Sequence, residues 1–152
     1  PDHLLGLNEI AQATGAPSYM HEEDSRLLEH IPPMLLNMMG MDKLELPAEF
    51  LPLEDGQELE LAGMKFKVLH TPGHSGGSVC FLVGDVLFAG DLVFRGSIGR
   101  TDFPRGDHAT LLRSIRGRLW PLGDDVTFIP GHGPRSTFGQ ERRTNPFVGD
   151  GR

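Results

Sequence analysis

The chain has 152 residues, of which 38% are hydrophobic and 23% charged, with a formal net charge of -7. That is enough chain for one domain with a buried core, and the acidic balance leaves no basic stripe of the kind that neutralises nucleic-acid phosphates. A single cysteine, Cys80, excludes an internal disulfide, and no apolar run reaches the length of a membrane-spanning helix.

Leu4, Leu7, Ile10 and Ala11 recur at helical spacing, and Gly15 followed by Pro17 ends the run. Asp2 stands at the front of this helix, where a carboxylate suits an N-cap. A short strand is expected at Ser18-Met20 and a helix from Glu22 to Glu29, flanked by His21 and His30 as surface or capping residues. The segment 31–50 carries paired prolines and Gly40 and reads as loop or short helical turns. Met34, Met38, Met39 and Met41 within it suit either a pocket lining or irregular core gaps.

From Gln57 the pattern changes to period two. Residues 58–61 and 65–69 around Ala62-Gly63 read as a hairpin. Residues 78–83 and 86–88 around Gly84-Asp85 read as a second one. Cys80 lies inside the apolar run S-V-C-F-L-V and reads as a small buried hydrophobe. Asp107 is the expected N-cap of a helix carrying Leu111, Leu112, Ile115 and Leu119. A buried strand is expected at Val126-Ile129 and a last helix at 139–143. Interleaved strands and helices make the class a layered α/β sandwich.

Three residues sit in settings that suit metal ligands. His74 follows T-P-G, Asp91 follows an apolar strand through Ala89-Gly90, and His132 is bracketed by glycines in P-G-H-G. A carboxylate at an apolar strand end is costly to desolvate without a cation partner. Imidazole and carboxylate are donors of open catalytic sites. Arg95, Arg100, Arg105 and Arg142-Arg143 either meet a small anionic substrate or are solvated surface charge. His70 reads as structural and His108 as exposed, and Asp102 reads as structural, pairing locally with an arginine or capping a turn.

Together, T-P-G-H-S-G-G-S, G-D-V-L-F-A-G-D-L-V-F, I-G-R-T-D-F-P, F-I-P-G-H-G-P and the closing E-R-R-T-N-P-F resemble the metallo-β-lactamase superfamily. The branch they are most similar to is that of the small, single-domain, glyoxalase II-like hydrolases. The resemblance spans nearly the whole chain and implies a metallo-β-lactamase αββα sandwich as one domain over residues 1–152. The family motif H-x-H-x-D-H is matched here only by its last positions, Pro1-Asp2-His3. The resemblance therefore implies an N-terminal part, with two histidines, that is missing from this sequence.

The implied site holds two metal ions, zinc first, with iron or manganese as alternatives. One position would use the two histidines ahead of Pro1 with His74. The other would use Asp2, His3 and His132, and Asp91 would bridge them. The implied reaction is hydrolysis of a small-molecule thioester, such as an S-acylglutathione, by a metal-bound hydroxide that Asp2 also orients. Arg100 would bind the carboxylate of the thiol carrier. No nucleic acid or membrane partner is expected, and the setting is cytoplasmic by default. Two alternatives stand beside this reading. One is a mononuclear iron persulfide dioxygenase on the same fold, with His74 and Asp91 in a facial triad. The other is an inactive fragment or a complementing half of such a protein.

Overall fold

A computed structural model describes residues 2–28, 31, 33–38 and 40–151, so the expectations at Pro1, Glu29, His30 and Met39 lie outside the described residues. The chain groups into two compact units, Pro1–Leu53 and Glu54–Arg152.

The first unit opens with a 3-10 turn, Asp2–Leu4, followed by helix α1 (Leu7–Thr14). Gly6 at φ 76° breaks the backbone between them and stands at the N-cap of α1, so Asp2 does not cap that helix. Gly15, also left-handed, closes it, and its N–H donates to the Ala11 carbonyl. Strand β1 (Tyr19–His21) lies one residue later than its sequence signal and runs into helix α2 (Glu22–Leu28). Among the described residues of segment 31–50 there is one short helix, α3 (Pro33–Met38). Strand β2 (Leu51–Leu53), which the sequence does not announce, pairs in parallel with β1.

The second unit is built on a six-stranded mixed sheet. Its strands are β3 (Glu58–Leu61), β4 (Met64–His70), β5 (Val79–Val83), β6 (Val86–Gly90), β9 (Thr127–Pro130) and β10 (Ser136–Thr137), in the order β10-β9-β6-β5-β4-β3. Both expected hairpins form, and Ala62 and Gly63 both take positive φ, as a tight hairpin turn requires. All pairings in this sheet are antiparallel except β6 with β9. Strands β4, β6 and β9 therefore run in one direction and end at one edge of the sheet.

A two-stranded hairpin, β7 (Val93–Phe94) with β8 (Ser97–Ile98), follows β6. Helix α4 (His108–Ser114) starts at Asp107, whose side chain accepts from the Thr110 N–H. It continues as a π-helical turn over Ile115–Leu119 and a 3-10 turn at Trp120–Leu122. Helix α5 (Phe138–Thr144) is capped by the Thr137 hydroxyl.

Period two sorts the strand residues onto two faces. One face, with Leu69, Cys80, Leu87, Ala89 and Phe128, joins Leu111, Ile115, Leu119, Trp120, Phe138 and Val148 in a single buried cluster. Each of the large side chains is worth about 1.5–3 kcal/mol of burial. The other face carries Phe66, Val68, Phe81, Phe88 and Ile129. Val68 is fully buried, and Phe66 stacks on Phe88 at 6.4 Å. No helix among the described residues is long and apolar enough to cross a membrane.

Candidate metal centre

The shared edge of β4, β6 and β9 positions three of the predicted ligands. Each strand ends in a loop carrying one of them: His74 after β4, Asp91 after β6 and His132 after β9. The loops after β6 and β9 are stitched together by the Gly131 N–H, which donates to the Gly90 carbonyl at 2.8 Å. A register irregularity between Phe88 and Gly90 turns the end of β6 just before Asp91.

The His74 loop is pressed against α4. The Gly73 carbonyl accepts from the Asp107 N–H at 2.9 Å. Gly73 has φ 143°, and a Cβ there would lie 2.4 Å from the Leu111 Cα, so glycine is required. His70, at the end of β4, has a structural role, with its Nε2 2.8 Å from the Gly76 carbonyl.

One carboxylate oxygen faces two imidazoles. Asp91 Oδ2 lies 3.8 Å from His74 Nε2 and 3.5 Å from His132 Nε2. Donor atoms each ~2.0–2.2 Å from one ion stand roughly 3.3–3.8 Å apart at tetrahedral to somewhat wider angles. Both separations therefore fit an ion shared between Asp91 and each imidazole, with one carboxylate oxygen common to both. The donor set, nitrogen, oxygen and nitrogen, suits zinc or iron rather than calcium or magnesium. Asp91 is mostly buried, at 13% side-chain exposure, whereas His132 is 59% exposed.

His74 is oriented from behind. Its Nδ1 lies 2.8 Å from the Arg100 carbonyl. A carbonyl can only accept, so Nδ1 carries a proton and Nε2 is the ring nitrogen turned toward Asp91. Phe103 packs edge-on against the same ring at 5.3 Å. Gly99 runs so close to Asp91 that a Cβ there would lie 1.8 Å from the Asp91 carbonyl oxygen.

Asp2 and His3 belong to the first unit. They meet one another, with Asp2 Oδ2 3.8 Å from His3 Nε2, and both are about half exposed. Arg100, the expected carboxylate binder, already has an acidic partner. Its Nε donates to Asp102 Oδ1 at 2.6 Å, a second bond runs to Oδ2, and the guanidinium sits 4.3 Å over the Phe103 ring. That hydrogen-bonded guanidinium holds the Asp102 carboxyl down at about 2. Two of the five guanidinium N–H groups are thereby committed, and three remain for other acceptors.

Cys80 is no nucleophile for this centre. Complete burial pushes its thiol up to about 12, and its sulfur lies 3.3 Å from the Thr71 hydroxyl.

Two supporting residues escape sequence reasoning. Glu141 is 1% exposed, accepts from the Gly96 N–H at 2.8 Å and from Asn145 Nδ2 at 2.9 Å, and is also bonded by the Ser136 hydroxyl. Asn145 Nδ2 also donates to the Ser97 and Phe94 carbonyls at 3.0 and 3.3 Å. They tie α5 to the β7–β8 hairpin. That hairpin connects Asp91 to Gly99-Arg100 and sets the Phe94 ring 6.3 Å from the His132 ring.

A family model described as the metallo-beta-lactamase superfamily matches residues 1–132. Hydroxyacylglutathione hydrolase GloC of Haemophilus influenzae is 41% identical over 154 residues, covering 97% of this chain and 71% of that protein. Among solved structures, TTHA1623 in a di-iron-bound form superposes with a TM-score of 0.84 at 40% identity, over 96% of this chain and 72% of that one. The BLEG-1 B3 metallo-beta-lactamase gives 0.83 at 35% identity, over 97% and 72%. The extent of these matches shows that the chain belongs to the metallo-β-lactamase superfamily of metal-binding hydrolases.

Proposed function

We propose that the chain forms the catalytic part of a metal-dependent thioester hydrolase of the glyoxalase II type, acting on a small S-acylated thiol such as an S-acylglutathione. The observation that carries this reading is the single Asp91 oxygen poised 3.8 and 3.5 Å from two imidazole nitrogens. The 41% identity to a hydroxyacylglutathione hydrolase supports the substrate class.

His74 belongs to one metal position and His132 to the other, with Asp91 between them. Asp2 and His3 join His132 in this reading, because the family's motif assigns them there. Two divalent cations, zinc or else iron or manganese, would be held at these positions and would supply an activated water near neutral pH and polarisation of the thioester carbonyl. Asp91 keeps both positions at a fixed separation. The Arg100 carbonyl holds the His74 proton on Nδ1, so that the opposite nitrogen stays a ligand. Asp2 orients the attacking water. Arg100 offers its uncommitted N–H groups to the carboxylate of the thiol carrier, a charge-assisted contact. A glutathione-linked substrate goes with a cytoplasmic setting, and neither nucleic acid nor a membrane takes part.

Release of free thiol from S-acylglutathiones, followed in the natural protein with two equivalents of zinc, iron or manganese, tests the reading. Metal-dependent turnover is expected. One bound iron with oxygen uptake on glutathione persulfide, and no thiol release, would replace the hydrolase with a dioxygenase. Absence of both activities with every metal would favour an inactive or complementing segment.

A further inference from the structure

His74 is restrained twice by a single stretch of chain, residues 100–103. The Arg100 carbonyl takes the Nδ1 proton at 2.8 Å, and the Phe103 ring meets the imidazole edge-on at 5.3 Å with the planes at 89°. Both restraints depend on how residues 100–103 are folded, and the pair that folds them is visible. The Asp102 carboxylate grips the Arg100 guanidinium through two bonds, and the guanidinium carbon sits over the ring of Phe103, 4.3 Å from its centroid. Carboxylate, guanidinium, phenyl ring and imidazole thus form one continuous chain of contacts, and the backbone of its second member closes back onto the fourth.

An exposed ion pair contributes little to folding stability in general, and Arg100 and Asp102 are 62% and 65% exposed. The consequence of this pair is therefore geometric. An arginine held through a two-bond fork and over a ring is fixed in orientation, which a lysine cannot reproduce.

We propose that Asp102 is a positioning residue for the metal centre, acting through Arg100 and Phe103 to hold His74 in the Nδ1-protonated tautomer with Nε2 turned toward Asp91. The proposal rests on His74 being a metal ligand. It gives Arg100 a second task beside carboxylate recognition, because its backbone and its side chain serve the same imidazole.

The test is Asp102→Ala, with Arg100→Lys as a second variant that keeps the charge and loses the fork. The first readout is the nitrogen NMR spectrum of the His74 imidazole in metal-free natural protein. Wild type is expected to show one tautomer, protonated at Nδ1. Both variants are expected to show a mixture, with affinity for zinc lowered about tenfold or more, the scale on which outer-shell partners act. A single Nδ1-protonated tautomer retained in Asp102→Ala overturns the proposal, whatever happens to activity. So does an effect confined to a raised KM with zinc affinity unchanged, which would assign the pair to substrate alone. Failure of the hydrolase reading looks different: wild type would release no thiol, while the tautomer measurement would still decide the role of Asp102.

Discussion

Glu141→Ala is the substitution whose cost the structure lets us work out in most detail. The side chain is 1% exposed and takes three hydrogen bonds, from the Gly96 N–H, the Asn145 amide and the Ser136 hydroxyl. A typical hydrogen bond contributes about 0.5–1.5 kcal/mol net, and a buried group left unpaired costs about 1–3. Gly96 and Ser136 are near enough to water to find replacement partners. Asn145 keeps the Ser97 and Phe94 carbonyls. The hydrogen-bond loss is then about 2 kcal/mol, and removing the buried chain atoms adds about 1 kcal/mol more. A total near 3 kcal/mol is expected for Glu141→Ala, against about 1 kcal/mol for Glu141→Gln, which keeps shape and one acceptor. Urea unfolding followed by circular dichroism measures both, with an unchanged m-value confirming that the same surface is exposed. A loss below about 1 kcal/mol for the alanine variant would refute the view that Glu141 ties α5 to the hairpin beside the metal centre.

Other consequences are open to simpler assays. Gly99→Ala would drive a Cβ into the Asp91 carbonyl, 1.8 Å away, so the backbone of 99–100 must move and carry the Arg100 carbonyl off His74. Zinc affinity is expected to fall at least tenfold in titrations, with about 1–3 kcal/mol of stability lost. Cys80, with its thiol pushed up to about 12, carries only about one part in ten thousand of thiolate at pH 8, so iodoacetamide should label it only after unfolding. The same shift has a sign for stability. Above pH about 9 the unfolded chain releases this proton while the native state retains it, so stability falls as pH rises toward about 12. A native protein labelled as fast as the denatured one would contradict the burial of that sulfur.

The parts legible in the sequence are those where local chemistry and tertiary structure agree. The two hairpins carry period-two runs around turn-forming pairs, and Asp107 caps its helix as its position announces. His74, Asp91 and His132 stand out because each follows an apolar strand on a glycine-bearing turn. What stayed hidden depends on distant partners or on very short elements. β7 and β8 have two residues each, too few to show a period. Glu141 sits beside Arg142 and Arg143, a context that reads as solvated surface, yet it is buried by contacts made 45 residues earlier in the chain. The π-helical turn at Ile115–Leu119 keeps the same apolar spacing as an α-helix, so nothing in the pattern reveals it. Asp2 looked like a helix cap because the left-handed turn at Gly6, which separates it from α1, is a matter of backbone conformation. The local pairing of Asp102 with an arginine is legible in the sequence, and Arg100 is that partner; the approach of the Arg100 carbonyl to His74, 26 residues earlier, is not.

The claim that Asp91 bridges two metal positions is tested most directly by an anomalous-scattering map of crystals of the zinc-loaded natural protein. Two peaks are predicted, each ~2.0–2.2 Å from an Asp91 carboxylate oxygen, one beside His74 Nε2 and the other beside His132 Nε2. Ions bound elsewhere, or a fully loaded protein whose peaks leave Asp91 out of both coordination spheres, would contradict it.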